Sequence, residues 1–359
     1  MRQDPSLCPR RLHGPAAGAA RAACLALAVF PACALAQNQT WVPAKGHGSV
    51  SVAYQDLFIA THTISDGSPG YPGTISTRSL FLTADYGLTD RFAINVSLPY
   101  KSSRFVGPGV HDPGTLDDDH GESFIDDGDY HGGWQDLRVS LRYLWLDGPY
   151  KVVPFIAYGM PTHDYTTFAH AALGTGQNHL QFGVNVGHGF APPAQNLYWL
   201  AGLSYSVMEK VEDRRVNHGT LNLEMGYFFT PRLSASVLVT AQKTWNGFDY
   251  PGDYPNAHDE HFYHHDQNLR NDFVNVGAVL GFQFDERYSA FVSYGHTVWG
   301  ENTHLIDHAW TMGVTLEAAR YAPATRCSTH VTASEKTTAS ATSGTSRTPW
   351  PSPRCTVLL

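Results

Sequence analysis

The sequence predicts an all-β fold, an antiparallel transmembrane β-barrel of twelve strands with short periplasmic turns and long extracellular loops. Three observations predict it. Segments of about ten residues alternate apolar and polar side chains about a dozen times, the period-2 signature of a sheet with two unlike faces. The connections between these segments fall alternately into a short and a long class, as they do in bacterial outer-membrane barrels. Beyond the N-terminus, no apolar run approaches the eighteen or more residues that a spanning helix requires. A chain that crosses a membrane with strands must close its sheet, because an open edge leaves unpaired backbone groups in lipid.

Taken in order, the chain begins with Arg10, Arg11 and Arg21, then the apolar run Ala22 to Phe30, then Ala34-Leu35-Ala36 before Gln37. That is the three-part layout of a secretory signal peptide cut after Ala36. A membrane anchor fits poorly, since the run is short and ends at Pro31, and Phe30-Pro31-Ala32 is a poor lead-in to a lipidated Cys33. The predicted organisation is a signal peptide over 1–36, a periplasmic lead over 37–45 that can tuck into the lumen, a barrel over 46–319, and a disordered Ser/Thr/Pro-rich tail over 320–359. Outer-membrane barrels usually end on an aromatic residue that closes the last strand. Here the chain runs on past Leu316, as a real extension or as the product of a frame error near the end of the gene.

Composition agrees with one barrel. The 359 residues carry a net charge of −8, so no nucleic-acid-binding surface is expected. Aromatic residues at 12% and 33 glycines suit many strands with tight turns. Cys8, Cys24, Cys33, Cys327 and Cys355 all lie outside the barrel, which excludes thiolate metal sites and cysteine nucleophiles within it.

The predicted strands are 48–60, 76–87, 91–103, 134–146, 151–161, 178–190, 197–208, 219–229, 232–244, 271–284, 288–299 and 308–318. Short connections fall at 88–90, 147–150, 191–196, 230–231 and 285–287, and longer polar ones at 61–75, 104–133, 162–177, 209–218, 245–270 and 300–307. Phe92, Ile94, Val96, Leu98 and Tyr100 share one face of their strand and Ala93, Asn95 and Ser97 the other. In 134–146 the polar face holds Asp136, Arg138, Ser140 and Arg142, a row that would be ruinous in a dry core. The apolar faces therefore look to lipid and the polar faces to a wet lumen. Tyr54, Tyr86, Tyr100, Tyr143, Trp145, Tyr158, Trp199, Tyr205, Tyr288, Tyr294 and Trp310 lie near the ends of the apolar faces, as interfacial girdles require.

Tyr86-Gly87-Leu88-Thr89-Asp90-Arg91 leading to Ser97-Leu98-Pro99-Tyr100, then Asp136 to Tyr143 after a long loop, resembles the outer-membrane transporter family named after the meta-pathway of phenol degradation. The resemblance covers about 45–318 in strand rhythm. It implies an outer-membrane location and passage of small, often hydrophobic molecules, and it brings no catalytic motif.

The expected lumen lining is Asp85, Asn95, Asp136, Arg138, Arg142, Gln181, Asn185, Asn222, Glu224, Gln242, Asn275 and Gln283, a hydrogen-bonded ladder that also sets selectivity. The loops 104–133 and 245–270 are rich in Asp and His, and His111, His120, His131, His258, His261, His264 and His265 are candidate metal ligands. The motif is weak, without the order of a calcium loop and without cysteine, so a solvated acidic loop is the competing reading. No resident cofactor is expected beyond a loosely held divalent cation. The expected partners are outer-membrane lipid and lipopolysaccharide, the barrel-assembly machinery and a small-molecule solute. Passive passage is the expected function. The alternatives are a barrel that presents adhesive or metal-binding loops without transport, and a hydrolase. For the last, His163-Asp164 and His304 with Asp307 are conceivable rim partners, while Ser293 and His296 differ in parity and point to opposite faces. No enzyme activity is expected.

Overall fold

The computed structural model describes residues 40–70, 73–108, 111, 124–253, 255 and 260–318. The expected signal peptide and tail lie outside these residues. Among them, twelve antiparallel strands follow one another around a closed sheet: β1 (Gly48–His62), β2 (Thr74–Gly87), β3 (Phe92–Val106), β4, β5 (Tyr150–Met160), β6 (His179–Gly189), β7 (Leu197–Met208), β8 (Asn217–Phe228), β9 (Leu233–Trp245), β10 (Asp272–Gln283), β11 (Tyr288–Glu301) and β12 (His304–Ala318). Every strand pairs with its chain neighbours, and β12 returns to β1 over Gly48↔Ala318 to His62↔His304.

Three local expectations need correction. The fourth strand is broken into His131–Trp134, Leu137–Tyr143 and Leu146–Asp147, because Gln135 and Leu144 leave the ladder to donate their N–H groups to the carbonyls of Pro99 and Arg91. The long loop expected over 300–307 is a tight hairpin at Asn302-Thr303, where Asn302 takes a left-handed φ of 48°, a conformation asparagine tolerates. The loop between β9 and β10 contains a helical turn, Glu260–His264 followed by His265–Asn268, that strand periodicity does not reveal.

Side-chain alternation separates the two faces. Leu203, Val237 and Met312 are 60%, 56% and 57% exposed on the outside, whereas Ser51, Ser206 and Thr311 are 1% exposed within. A soluble sheet buries its apolar face; this one presents it outward around the whole circumference, which is the arrangement lipid requires. The polar inner face is satisfied by its own members. At the closing seam Ser51 and Thr315 hydroxyls lie 2.7 Å apart and Gln55 Nε2 donates to Thr311 Oγ1 at 3.0 Å. Both pairs sit directly opposite one another in the β1–β12 register.

Three of the five short turns share one chemistry. Thr89 Oγ1 accepts from the backbone N–H groups of Arg91 and Phe92 at 3.1 and 2.9 Å. Thr230 Oγ1 does the same for Arg232 and Leu233 at 3.1 and 3.0 Å, and Asp285 Oδ1 for Arg287 and Tyr288 at 2.7 and 2.9 Å. Short side-chain oxygens at this position bond the chain two and three residues on and so set a tight reversal.

Leu203 lies mid-strand on the outer face, so Leu203→Arg is expected to destabilise the vesicle-refolded barrel by about 2–4 kcal/mol in a urea titration. An unchanged unfolding midpoint would place that side chain away from lipid.

Candidate functional site

A buried ion pair lies at the periplasmic end of the lumen. Arg142 from β4 reaches both carboxylate oxygens of Asp85 on β2 and donates through Nη1 to the Trp41 carbonyl at 2.9 Å. Thr40 is fully buried, with its hydroxyl against the backbone of Gly187. The lead residues Thr40 and Trp41 thus lie inside the barrel and are held there in part by this ion pair.

Above that end, side chains from opposite walls meet. Ala53, Phe81, Leu238, Val279 and Phe291 are buried together on the inner face, and a Cβ added at Gly313 would lie 2.5 Å from the Phe291 ring. This apolar floor was not evident from strand patterning, because Phe81 and Phe291 break the polar alternation only singly.

Among the described residues, two of the cavities lie on the extracellular side of the floor. The smaller, about 240 Å³, is lined by Arg138, Gln181, Asn185, Asn222 and Gln242, together with His179 and His218. Here Arg138 donates to Gln181 at 2.7 Å, Gln181 to Ser204 at 3.1 Å, and Thr240 to Asn222 at 2.8 Å. Gln242 also donates to the Asn271 carbonyl at 3.0 Å. The larger cavity, about 510 Å³, includes Asn275, which accepts from Thr297 at 2.7 Å. Its walls mix Gln55, Thr77, Ser79 and Lys101 with Leu57, Ile59, Ile75, Leu269, Phe273 and Ile306. The other expected lumen residues point inward without lining either cavity. Asn95 donates to the Ala84 carbonyl at 3.3 Å, Glu224 accepts from Tyr198 at 2.8 Å, and Asp136 accepts from Tyr165. Gln283 lies at the periplasmic turn and donates to the Asp285 carbonyl.

The roof of the larger cavity is a buried cluster of imidazoles and carboxylates drawn from three extracellular loops. His111 lies between its ring neighbours: Nδ1 is 2.9 Å from Asp126 and 3.0 Å from His170, while Nε2 is 2.9 Å from Asp266 and 3.3 Å from His265. Asp126 is positioned by the backbone N–H groups of His170 and Ala171, each at 2.9 Å. Burial alone would push the His111 imidazole down; the carboxylates of Asp266 and Asp126 outweigh it and raise it to about 9. Burial pushes Asp126 up, and hydrogen bonds from His111 and His170 overcome it and hold the carboxyl well below the usual range. Beneath this cluster the His62 and His304 rings lie against one another at a tilt of 57°, with centroids 4.2 Å apart.

Of the histidines expected to bind metal, the structure brings together His111 and His265. His131 pairs locally with Asp127 at 2.9 Å, His264 with Gln267 at 2.9 Å, and His261 lies edge-on to Phe248. His120 and His258 lie outside the described residues. His62 and His170 carry no metal-binding signature in the sequence, and Asp126 and Asp266 stand there only among the many carboxylates of the two acidic loops. The available signal was the setting of His170 in Phe168-Ala169-His170-Ala171-Ala172, an apolar stretch in what would otherwise be a solvated loop. Ser293 points inward and is buried, whereas His296 is half-buried on the other face and bonds the Asp307 carbonyl at 2.8 Å, as their parity requires.

No protein-family model matches the chain, and no curated protein matches it in sequence. Among solved structures, an outer-membrane channel from Pseudomonas putida F1 superposes with a TM-score of 0.59 at 12% identity, covering 79% of this chain and 99% of that one. The NanC porin gives a TM-score of 0.42 at 11% identity, covering 75% and 100%. The translocator domain of the autotransporter NalP from Neisseria meningitidis gives 0.44 at 12% identity, covering 76% and 89%. With a closed twelve-stranded sheet, an apolar exterior and a polar lumen, the chain is an outer-membrane β-barrel.

Asp85→Asn leaves Arg142 buried without its counter-charge and is expected to destabilise the refolded barrel by about 3–5 kcal/mol in denaturant titration. The Asp85→Asn/Arg142→Met double variant should recover part of that loss. Equal stability of the single variant and the native chain would contradict the buried pairing.

Proposed function

We propose that this barrel is a channel for passive passage of small, partly apolar molecules across the outer membrane. The observation that carries the reading is the cavity of about 510 Å³ between the loop roof and the apolar floor. Its size falls within the range of small-molecule pockets, and its mixed lining suits solutes that carry both a hydrocarbon or aromatic body and a polar group. The likeness of the Tyr86–Tyr100 and Asp136–Tyr143 segments to the family of the phenol meta-pathway supports aromatic or hydrophobic solutes as the substrate class. Passage needs no cofactor and no covalent step. It requires the floor side chains to move aside, since Phe81 and Phe291 are buried within it. Surrounding lipopolysaccharide and the barrel-assembly machinery complete the expected setting.

Swelling of liposomes carrying the refolded barrel, challenged in turn with phenols, alkanoates and small sugars, tests the reading. Phenols and alkanoates should permeate faster than sugars of similar size, and Phe81→Ala/Phe291→Ala should accelerate all of them. A folded barrel that passes none of these solutes in either form overturns the proposal.

A further inference from the structure

We propose that His111 Nε2, His265 Nε2 and the Asp266 carboxylate form a binding site for a divalent transition-metal ion of the zinc, copper or nickel class, which cross-links the loops roofing the lumen. The three donors converge. His111 Nε2 lies 2.9 Å from Asp266 Oδ2 and 3.3 Å from His265 Nε2, and His265 Nε2 lies 3.3 Å from Asp266 Oδ1. Ligands about 2.0–2.1 Å from a tetrahedral ion stand about 3.3 Å from one another, so the donors are already near ligand spacing.

The groups behind the ligands determine which ring nitrogens can bind. His265 Nδ1 is 2.6 Å from the Phe262 carbonyl, which can only accept, so Nδ1 carries the proton and Nε2 presents its lone pair. His111 Nδ1 faces the Asp126 carboxylate at 2.9 Å in the same sense. A ligating histidine that donates its other N–H to a carboxylate or carbonyl is the usual support of a metal site. With both Nδ1 atoms so committed, the two Nε2 atoms and the Asp266 carboxylate converge as three donor atoms on one point.

Burial and chemistry narrow the ion. His111 and His265 are almost wholly buried, whereas Asp266 retains partial access and lines the large cavity with His265. A bound ion would therefore keep a coordination position open toward the lumen. Two imidazoles and one carboxylate suit zinc, copper or nickel, whereas calcium takes six to eight oxygens. An independent observation comes from the same cavity: His62 Nε2 is buried without a hydrogen-bond partner among the described residues. Ligand atoms of His62, His170 and His304 also lie within 4.8 Å of one another, a looser second group of imidazoles. The ion would join the β3–β4 loop to the β9–β10 loop, and Asp126 would tie in the β5–β6 loop through the backbone of His170 and Ala171. This assignment does not depend on conduction, since metal would bind equally in a barrel that passes nothing.

The test uses the full chain refolded in detergent, stripped with chelator and titrated calorimetrically with zinc. Heat-modifiable gel migration verifies that each variant is folded. The native chain should show a tight equivalent that is weakened at least 100-fold in His265→Ala/Asp266→Ala and about 10–100-fold in Asp126→Asn. If the double variant does not fold, Asp266→Asn, at the most accessible ligand, should show the same class of loss. Cobalt should give the intense visible bands of four- or five-coordination in the native chain alone. Equal zinc affinity of native and Asp266 variants, or a pale six-coordinate cobalt spectrum, overturns the site.

Discussion

Backbone hydrogen-bond closure between the first and last strands is the constraint on which everything else depends. In lipid an unpaired N–H or C=O has no water to turn to, so a sheet of this kind exists only when β12 finds β1. The register from Gly48↔Ala318 to His62↔His304 supplies that closure, and the Ser51–Thr315 and Gln55–Thr311 pairs reinforce it from within. Once the sheet is closed, the solvent relationships of an ordinary protein invert. Leucine and valine face outward, and serine, threonine and asparagine are the interior.

That inversion explains how much of the buried polarity is compensated. Inward side chains meet neighbours across the pleat or across the lumen, as in Arg138–Gln181–Ser204, Thr240–Asn222 and Thr297–Asn275. The interior also carries apolar clusters, one at the floor around Phe81, Leu238, Val279 and Phe291 and one higher up around Ile59, Ile75 and Phe105. Below the floor lie the Asp85–Arg142 pair, Thr40 and Trp41; above it two cavities lie beneath a roof built by the long loops.

The barrel was legible in the sequence because alternation is a local property and lipid imposes it on every strand. All twelve strands fall where periodicity places them, with ends shifted by a few residues. The misses occurred where tertiary contact overrides pattern. Gln135 and Leu144 interrupt the fourth strand by bonding to β3 and its turn, and the β11–β12 strands run beyond the expected loop because Asn302 can reverse the chain in a left-handed conformation. The face that each polar strand residue takes was legible, since parity alone assigns its side. The floor was not, because a single Phe among serines looks like an exception until its partners from distant strands are known. The roof lies between these cases: His111 and His265 stand out in acidic loops, but their convergence with Asp126, His170 and Asp266 is set by loop folding that no periodicity encodes.

The Asp126 carboxylate has a mechanical consequence. One oxygen receives the N–H of Ala171, the other receives the N–H of His170, and the same group anchors the His111 ring that leans on Asp266. Three segments far apart in the chain are thus coupled, two through Asp126 directly and the third through His111, so that displacing any one of them breaks a buried bond to another. Asp126 is to this part of the roof what a keystone is to an arch.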